Sequence, residues 1–534
     1  MLPGFSTAIV LLAAYTTLAS AFLRSPSILT SKKGVFCSNI QVSPSHPGKS
    51  YIKLHPEHAS ADFKIPGLIF YYPDIVNFTS VPIVEEFSRL CPKDKEVLFK
   101  KILNQDDGTF ILDAADGYDV DKSKLWSGIV DKDVKFQVDH SGFYCVYVAP
   151  PVEDKDPFEI PIVFKNYYGN LSYPFYLIYA QSKFTIAVAI IVFASLFNYI
   201  LKFKVGDNFQ HLDSISVISK AVIFLVLAPF TLLSMYQWFV LFLINNFLET
   251  CQRSRIISFL LLLSQFGETT FTTFLKYAVL LFSMGFGVIY YHSGNSHNYR
   301  QFPRDSFFKV TAFFVATLVV QFASHVRLAN SASDTPIIGY HGQTLLNQYG
   351  TLTAFLLGLA GLLSMAWFIL SMIFYFKTKK TIAAFPPASD ADSTEKVVSA
   401  FRKSFVVIYI LPIVTSIFGG IVAGVMTAQS FKNMPDYPTR TERDPVYQSA
   451  LGMWMLEKSM AKFMIPVLWS TWFYFFSLII SLFFLWIKDN NGLIVDPNAN
   501  DPIEYADVPN FNISDEEEEQ EQEQGQGQGQ DIRV

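Results

Sequence analysis

Residues 184–203 read FTIAVAIIVFASLFNYILKF, and Lys202, next to the end, is the only charge among them. An apolar helix of about 20 residues, rising 1.5 Å each, matches the roughly 30 Å of hydrocarbon in a bilayer. Six more apolar segments follow, at 214–246, 256–291, 306–326, 351–376, 405–427 and 464–487. The expectation is therefore a seven-helix transmembrane bundle over residues 183–488. The long segment 214–246 would measure about 50 Å as a helix, too short for two crossings and a turn, so it predicts one tilted helix. In 256–291 the stretch ahead of Gly267-Glu268 is too short to span alone, which predicts one helix with an extension.

Composition agrees. Hydrophobic residues make up 51% of the 534 and charged residues 16%, with 52 Phe; an average soluble domain carries about 25% charged residues. The formal net charge of −5 offers no basic excess for nucleic acid.

Upstream, an apolar run at 8–18 followed by Ala19-Ser20-Ala21 predicts a cleaved signal peptide over 1–21. Residues 22–182 then face an oxidising lumen, where Cys37, Cys91 and Cys145 allow one disulfide and leave one thiol over. Asn77-Phe78-Thr79 and Asn170-Leu171-Ser172 are N-glycan acceptor tripeptides on that side, making Asn77 and Asn170 the expected glycosylation sites. Short β-branched and aromatic runs at 35–42, 51–54, 67–72, 109–112, 134–138, 142–148 and 160–164, bordered by turn residues, predict a β-sandwich. Seven spans after a lumenal start place the C-terminus in the cytosol. The Lys377–Lys380 cluster and the other basic residues of the expected cytosolic loops carry a modest bias of the right sign.

Three ionisable residues interrupt the apolar helices: Lys220, Glu268 and Lys276. A bare charge in a membrane helix is expensive and marks an aqueous cavity or a lipid-headgroup site unless it snorkels to water. Lys220 and Glu268 lie near predicted helix ends, where snorkelling to water accounts for them; Lys276 is deeper. Pro229 and the Gly285/Gly287 pair suggest a kink and close helix packing. No metalloprotease, hydrolase or phosphate-loop signature occurs, so no enzyme, cofactor or metal is expected. Tyr290-Tyr291-His292 stands where the largest receptor class carries an acidic-Arg-aromatic triplet, and the last helix lacks Asn-Pro-x-x-Tyr.

Longer stretches carry a family likeness. Gly142-Phe143-Tyr144-Cys145-Val146, 164–171 (FKNYYGNL), Tyr173-Pro174-Phe175-Tyr176, Ser283-Met284-Gly285-Phe286-Gly287 and Leu485-Trp486-Ile487-Lys488-Asp489-Asn490-Asn491 occur in order. In these the chain resembles the lung seven-transmembrane receptor-like family with its GOLD-type lumenal domain, closest to the fungal branch. The resemblance implies a GOLD-like lumenal β-sandwich, a Cys37–Cys145 disulfide with Cys91 spare, and a role in traffic between Golgi and endosomes. It departs from the family at Tyr290-Tyr291-His292, where a basic-proline sequence is expected, and in lacking one lumenal cysteine.

The tail, 489–534, has few apolar residues and ends in Glu/Gln and Gly-Gln runs, which predicts disorder. Within it Tyr505-Ala506-Asp507-Val508 fits a Tyr-x-x-hydrophobic sorting signal, with Tyr505 and Val508 as the two anchors for a clathrin adaptor. Ser514 opens an acidic run and is a phosphorylation candidate. Expected partners are thus the bilayer, a lumenal cargo protein and the cytosolic coat. The expected role is non-enzymatic handling of cargo in Golgi and endosomal membranes, with an orphan receptor or an ion channel as the alternative.

Overall fold

The computed structural model describes residues 27–30, 34–56, 65–78, 92–112, 121–149, 158–205, 215–252, 254–291, 300–332, 351–384, 391–433 and 445–487. The signal peptide, Cys91, Tyr505, Val508 and Ser514 lie outside them, as does the side chain of Asn77.

Among the described residues eight strands form the N-terminal domain: β1 (Ile28–Thr30), β2 (Val35–Ile40), β3 (Tyr51–Leu54), β4 (Ile65–Tyr71), β5 (Leu125–Val130), β6 (Val134–Gln137), β7 (Gly142–Val148) and β8 (Glu159–Lys165). They pair antiparallel in two four-stranded sheets, β1-β8-β3-β6 and β2-β7-β4-β5. Strand β7, GFYCVYV, is buried along its whole length. Tyr144, Val146 and Val148 enter the core between the sheets. Phe143, Cys145 and Tyr147 enter a second core with Tyr72, Ile75 and Ile102, from a 3-10 turn (Tyr72–Asn77) and helix α1 (Pro92–Ile102). Covered faces on both sides are why this strand reads as an unbroken apolar run instead of alternating. Cys37 and Cys145 are directly opposite on β2 and β7 and are disulfide-bonded.

Two strands lie outside the runs expected from sequence, β1 and β5. Residues 109–112 contribute a single bridge, Leu103↔Phe110, and the fifth strand is Leu125–Val130. Ser127-Gly128 in that segment resembles a turn. In the sheet, Gly128 faces Gly67 of β4, and the Trp126 ring lies across both, within 2.8 Å of where a Cβ on Gly128 would stand. The indole thus supplies the burial that two glycines cannot.

Seven helices follow: α2 (Tyr173–Phe203), α3 (Val217–Phe247), α4 (Arg255–Ser283), α5 (Arg304–Ala332), α6 (Thr351–Ala384), α7 (Glu395–Ser430) and α8 (Pro445–Trp486). Among the described residues, all but α4 are long and apolar enough to cross a membrane, six in total, as fits a multi-pass membrane protein by length and composition. Helix α4 is as long as α5 but is diluted by Gln265, Glu268, four threonines and Lys276, and it packs against α3, α5 and α6. The segment 214–246 is one helical path, as expected; the π-helical stretch Val222–Leu227 precedes Pro229 in it. Val406–Ile410 likewise precedes Pro412. A proline has no N–H to give, and the widened turn ahead of it accommodates the lost bond.

Two helix ends differ from expectation. Helix α4 stops at Ser283, so Gly285 (φ +89°) and Gly287 (φ +78°) stand in a tight turn after it and not within a helix, and the expected close packing holds there: a Cβ on Gly285 would stand 3.2 Å from Thr378 of α6 and one on Gly287 3.1 Å from Ile218 of α3. That turn buries Val288 and Ile289 in the bundle core beside Trp486. Helix α8 was expected to begin at residue 464; it begins at Pro445 and runs 42 residues, about 63 Å. Its first turns carry Tyr447, Ala450 and Met453 into the second core of the β domain. A sequence window tuned to hydrocarbon cannot see a helix that leaves the bilayer to pack on protein.

Peptide mapping is expected to recover Cys37 bridged to Cys145. Because the pair closes a 108-residue separation, Cys37→Ser should destabilise the β domain by about 4–5 kcal/mol in the chain-entropy account, read as a lowered denaturation midpoint.

Candidate functional site

Helix α4 carries Gln265, Glu268, Thr269, Thr272, Thr273 and Lys276 at spacings of three and four, one stripe of a 3.6-residue helix. The stripe meets polar groups of three neighbouring helices. Gln237 Nε2 of α3 donates to Glu268 Oε2 at 3.1 Å. Thr269 Oγ1 lies 3.0 Å from His325 Nδ1 of α5. Thr269 also donates to the Gln265 carbonyl at 2.8 Å. Its one proton is thereby used, which assigns the hydrogen of the His325 contact to Nδ1. Thr273 Oγ1 reaches Gln321 Oε1 of α5 at 2.9 Å. Lys276 Nζ donates to Ser364 Oγ of α6 at 2.9 Å, and Gln321 Nε2 approaches the same oxygen at 3.4 Å. One helical turn from Ser364, Trp367 Nε1 donates to Thr317 Oγ1 at 3.0 Å.

The three polar positions singled out from sequence therefore separate. Lys220 sits in the first turn of α3, capped by Ser216, at a helix end as expected. Glu268 does not: it stands midway along α4 and is held by Gln237. Lys276 joins the seam with Gln321 and Ser364. Sequence reading passed over Gln237, Thr269, Thr273, Gln321, His325 and Ser364. The available signal was the stripe spacing of the threonines.

A second constellation joins the two domains. Asn245, at the end of α3 and 4% exposed, closes three bonds to the segment leading into α2. Its Oδ1 accepts the Leu171 N–H at 3.2 Å, its Nδ2 donates to the Tyr168 carbonyl at 2.7 Å, and its own carbonyl accepts the Asn170 N–H at 3.1 Å. Gly169 (φ +142°) permits the approach, since a Cβ there would strike the Asn245 amide. Beyond it, Thr250 Oγ1 donates to the Ile162 carbonyl and accepts the Phe164 N–H, both at 2.9 Å, and the Thr250 carbonyl accepts the Ser27 N–H at 3.0 Å. The α3–α4 connection thus satisfies strand β8. Asn170, an expected glycan site, lies in this clasp at 6% exposed, with Oδ1 accepting from Lys165 Nζ at 2.9 Å. Burial holds the Lys165 ammonium below its usual pKa, and the Glu249 charge partly offsets this.

On the other side, α8 delivers Glu457, whose side chain is 5% exposed, to the β domain. Its Oε2 accepts the Phe143 N–H at 3.1 Å and the Tyr71 hydroxyl at 3.2 Å, while Lys458 Nζ sits 3.2 Å from Oε1. Burial, with the Glu457 charge next, raises the pKa of the nearby Tyr144 phenol. Gly142 leaves the space: a Cβ there would crowd the Tyr71 ring and stand 3.1 Å from Glu457 Oε2.

No protein-family model matches the chain, and no curated protein matches it. Among the described residues no group of His, Cys, Asp and Glu could hold a metal ion.

Asn245→Ala should leave the Leu171 N–H and the Tyr168 carbonyl buried without partners, at about 1–3 kcal/mol each. The expected result is faster amide exchange over residues 168–171 and a lower melting temperature of the detergent-solubilised chain, with exchange in β7 unchanged. Unaltered exchange at Leu171 would show that Asn245 does not hold the clasp.

Proposed function

We propose that this chain is a non-enzymatic multi-pass protein of Golgi and endosomal membranes that handles a lumenal cargo protein. The β domain is the cargo-facing part, the bundle anchors it, and the acidic tail engages a clathrin adaptor. The observation that carries this reading is the double tie between β domain and bundle, through Asn245 and Thr250 on one side and Glu457 and Ala450 on the other. A domain fixed to the membrane at two points passes a load or a binding event to the helices, whereas a domain on a free linker does not. The two-sheet β domain with Cys37 bridged to Cys145 supports the GOLD-like assignment. In this reading α4 is a seventh crossing, sheltered by α3, α5 and α6, so the N-terminus is lumenal and the C-terminus cytosolic. The alternative, an ion channel or receptor, draws on the polar seam; ion-flux recording from the reconstituted chain separates it from the trafficking reading.

Two experiments test the proposal. With seven crossings, protease added to intact vesicles removes the tail and spares the β domain, and glycosidase shifts the mass through Asn77, with Asn170→Gln leaving that shift in place. A glycan on Asn512 would refute the seven-crossing count. For the address itself, Tyr505→Ala with Val508→Ala is expected to move a tagged chain from internal membranes to the cell surface or vacuole. An unchanged distribution and recycling rate would remove the adaptor from the proposal.

A further inference from the structure

The seam on α4 contains an imbalance that its own hydrogen bonds do not resolve. Lys276 lies about 10 Å from the Ser283 end of its helix. Side chains on a helix lean towards its N-terminus, so this one leans away from the nearer end and into the bundle. Its contact confirms the direction: Ser364 is about 20 Å from one end of α6 and about 30 Å from the other. Snorkelling to water is therefore not how this ammonium is accommodated.

The groups around it are rich in donors and poor in acceptors. Lys276 brings three N–H bonds and the Gln321 amide two. Both aim at one oxygen, Ser364 Oγ, at 2.9 and 3.4 Å. That hydroxyl donates its proton back to the Ala360 carbonyl at 2.9 Å. Gln321 Oε1, the other acceptor at hand, faces Thr273 Oγ1 at 2.9 Å, whose one proton is shared with the Thr269 carbonyl at 2.7 Å. His325 turns its Nδ1–H to Thr269, two turns of α4 from Lys276. No carboxylate among the described residues pairs with Lys276. Glu268, the only acidic residue of α4, is two turns distant, about 12 Å along the axis, and faces Gln237. Lys276 and Ser364 keep part of their surface exposed, while Gln321 beside them is buried.

We propose that Lys276, Ser364 and Gln321 form a binding site for an anionic oxygen group, a phosphate or carboxylate, between α4, α5 and α6. A positive charge with no carboxylate partner and more N–H donors than acceptors around it are the complement of such a group, which supplies several lone pairs and the counter-charge together. The site stands whether or not the trafficking reading does. The group arrives either on an amphiphile from the bilayer or as a soluble anion.

The test uses the full chain, delipidated in detergent. Thermal stabilisation is measured with phosphatidate, with diacylglycerol of the same acyl chains, and with inorganic phosphate. Phosphatidate should stabilise the wild type and diacylglycerol should not. Lys276→Met should bind phosphatidate about tenfold more weakly, the scale of one charge-assisted hydrogen bond. Lys276→Arg should keep binding, and Lys220→Met, away from the seam, should match the wild type. If inorganic phosphate reproduces the Lys276-dependent shift, the ligand is a soluble anion; if phosphatidate alone does, it is an amphiphile. Equal shifts in wild type and Lys276→Met, equal shifts with phosphatidate and diacylglycerol, or loss of binding in Lys276→Arg as well would overturn the site.

Discussion

Polar groups carried inside an apolar bundle have no water to fall back on, so their partners are carbonyls of their own helix or polar groups of a neighbouring one. This constraint organises the bundle around α4. Its threonines, glutamine and lysine place the helix against α5 and α6, since outward rotation would turn them to hydrocarbon. The outer helices show the converse: Phe224, Phe308, Phe355, Phe418 and Phe473 are exposed because lipid is their proper surroundings. The same rule works near the far end of the bundle from the β domain, where Trp486 Nε1 donates to Ser404 Oγ and Ser219 Oγ to the Phe483 carbonyl. These bonds are individually modest, on the order of 1 kcal/mol in measured membrane proteins. Their weight lies in specifying one rotational setting for each helix.

The β domain meets the bundle through the same chemistry. Where a strand outruns its neighbour, as β8 does β1 beyond Pro161 and β7 does β4 before Tyr144, its N–H and carbonyl groups on that side must be covered. Thr250 answers both the Ile162 carbonyl and the Phe164 N–H, and Glu457 answers the Phe143 N–H at the start of β7. Apolar packing follows these contacts: Ala450, Tyr447 and Met453 of α8 complete a core whose other members come from residues 35–149. Strand β7 links the two ends of this system. One face holds the inter-sheet core, the other holds the disulfide, and its first residues meet Glu457. A displacement at β7 therefore reaches α8 directly.

Much of the element content was legible from residue type. Strands β3 and β7 fall where alternation and aromatic content placed them, and the helices begin or end within a few turns of their apolar segments. Strand β5 was not legible, because Ser127-Gly128 has turn chemistry and only Trp126 folding across Gly67 makes it a strand. The early start of α8 was hidden because its first turns are stabilised by contact with a domain far away in the chain. At the seam, Lys276 was visible as a charge in an apolar run. Ser364 and Gln321 were not, since a serine or glutamine in a membrane helix acquires meaning only from what stands opposite.

The sequence by itself determined that the chain is a membrane protein of many apolar helices preceded by a β domain, because hydrophobicity over some twenty residues and β-alternation over a few are local properties. Tertiary structure decided which polar groups meet. Pairing Lys276 with Ser364 rather than with Glu268, and setting Asn245 against Gly169, depend on helix rotation and on contacts between residues 74 to 88 positions apart. No local pattern encodes such distances. They follow from packing the whole bundle at once, with every buried donor seeking an acceptor.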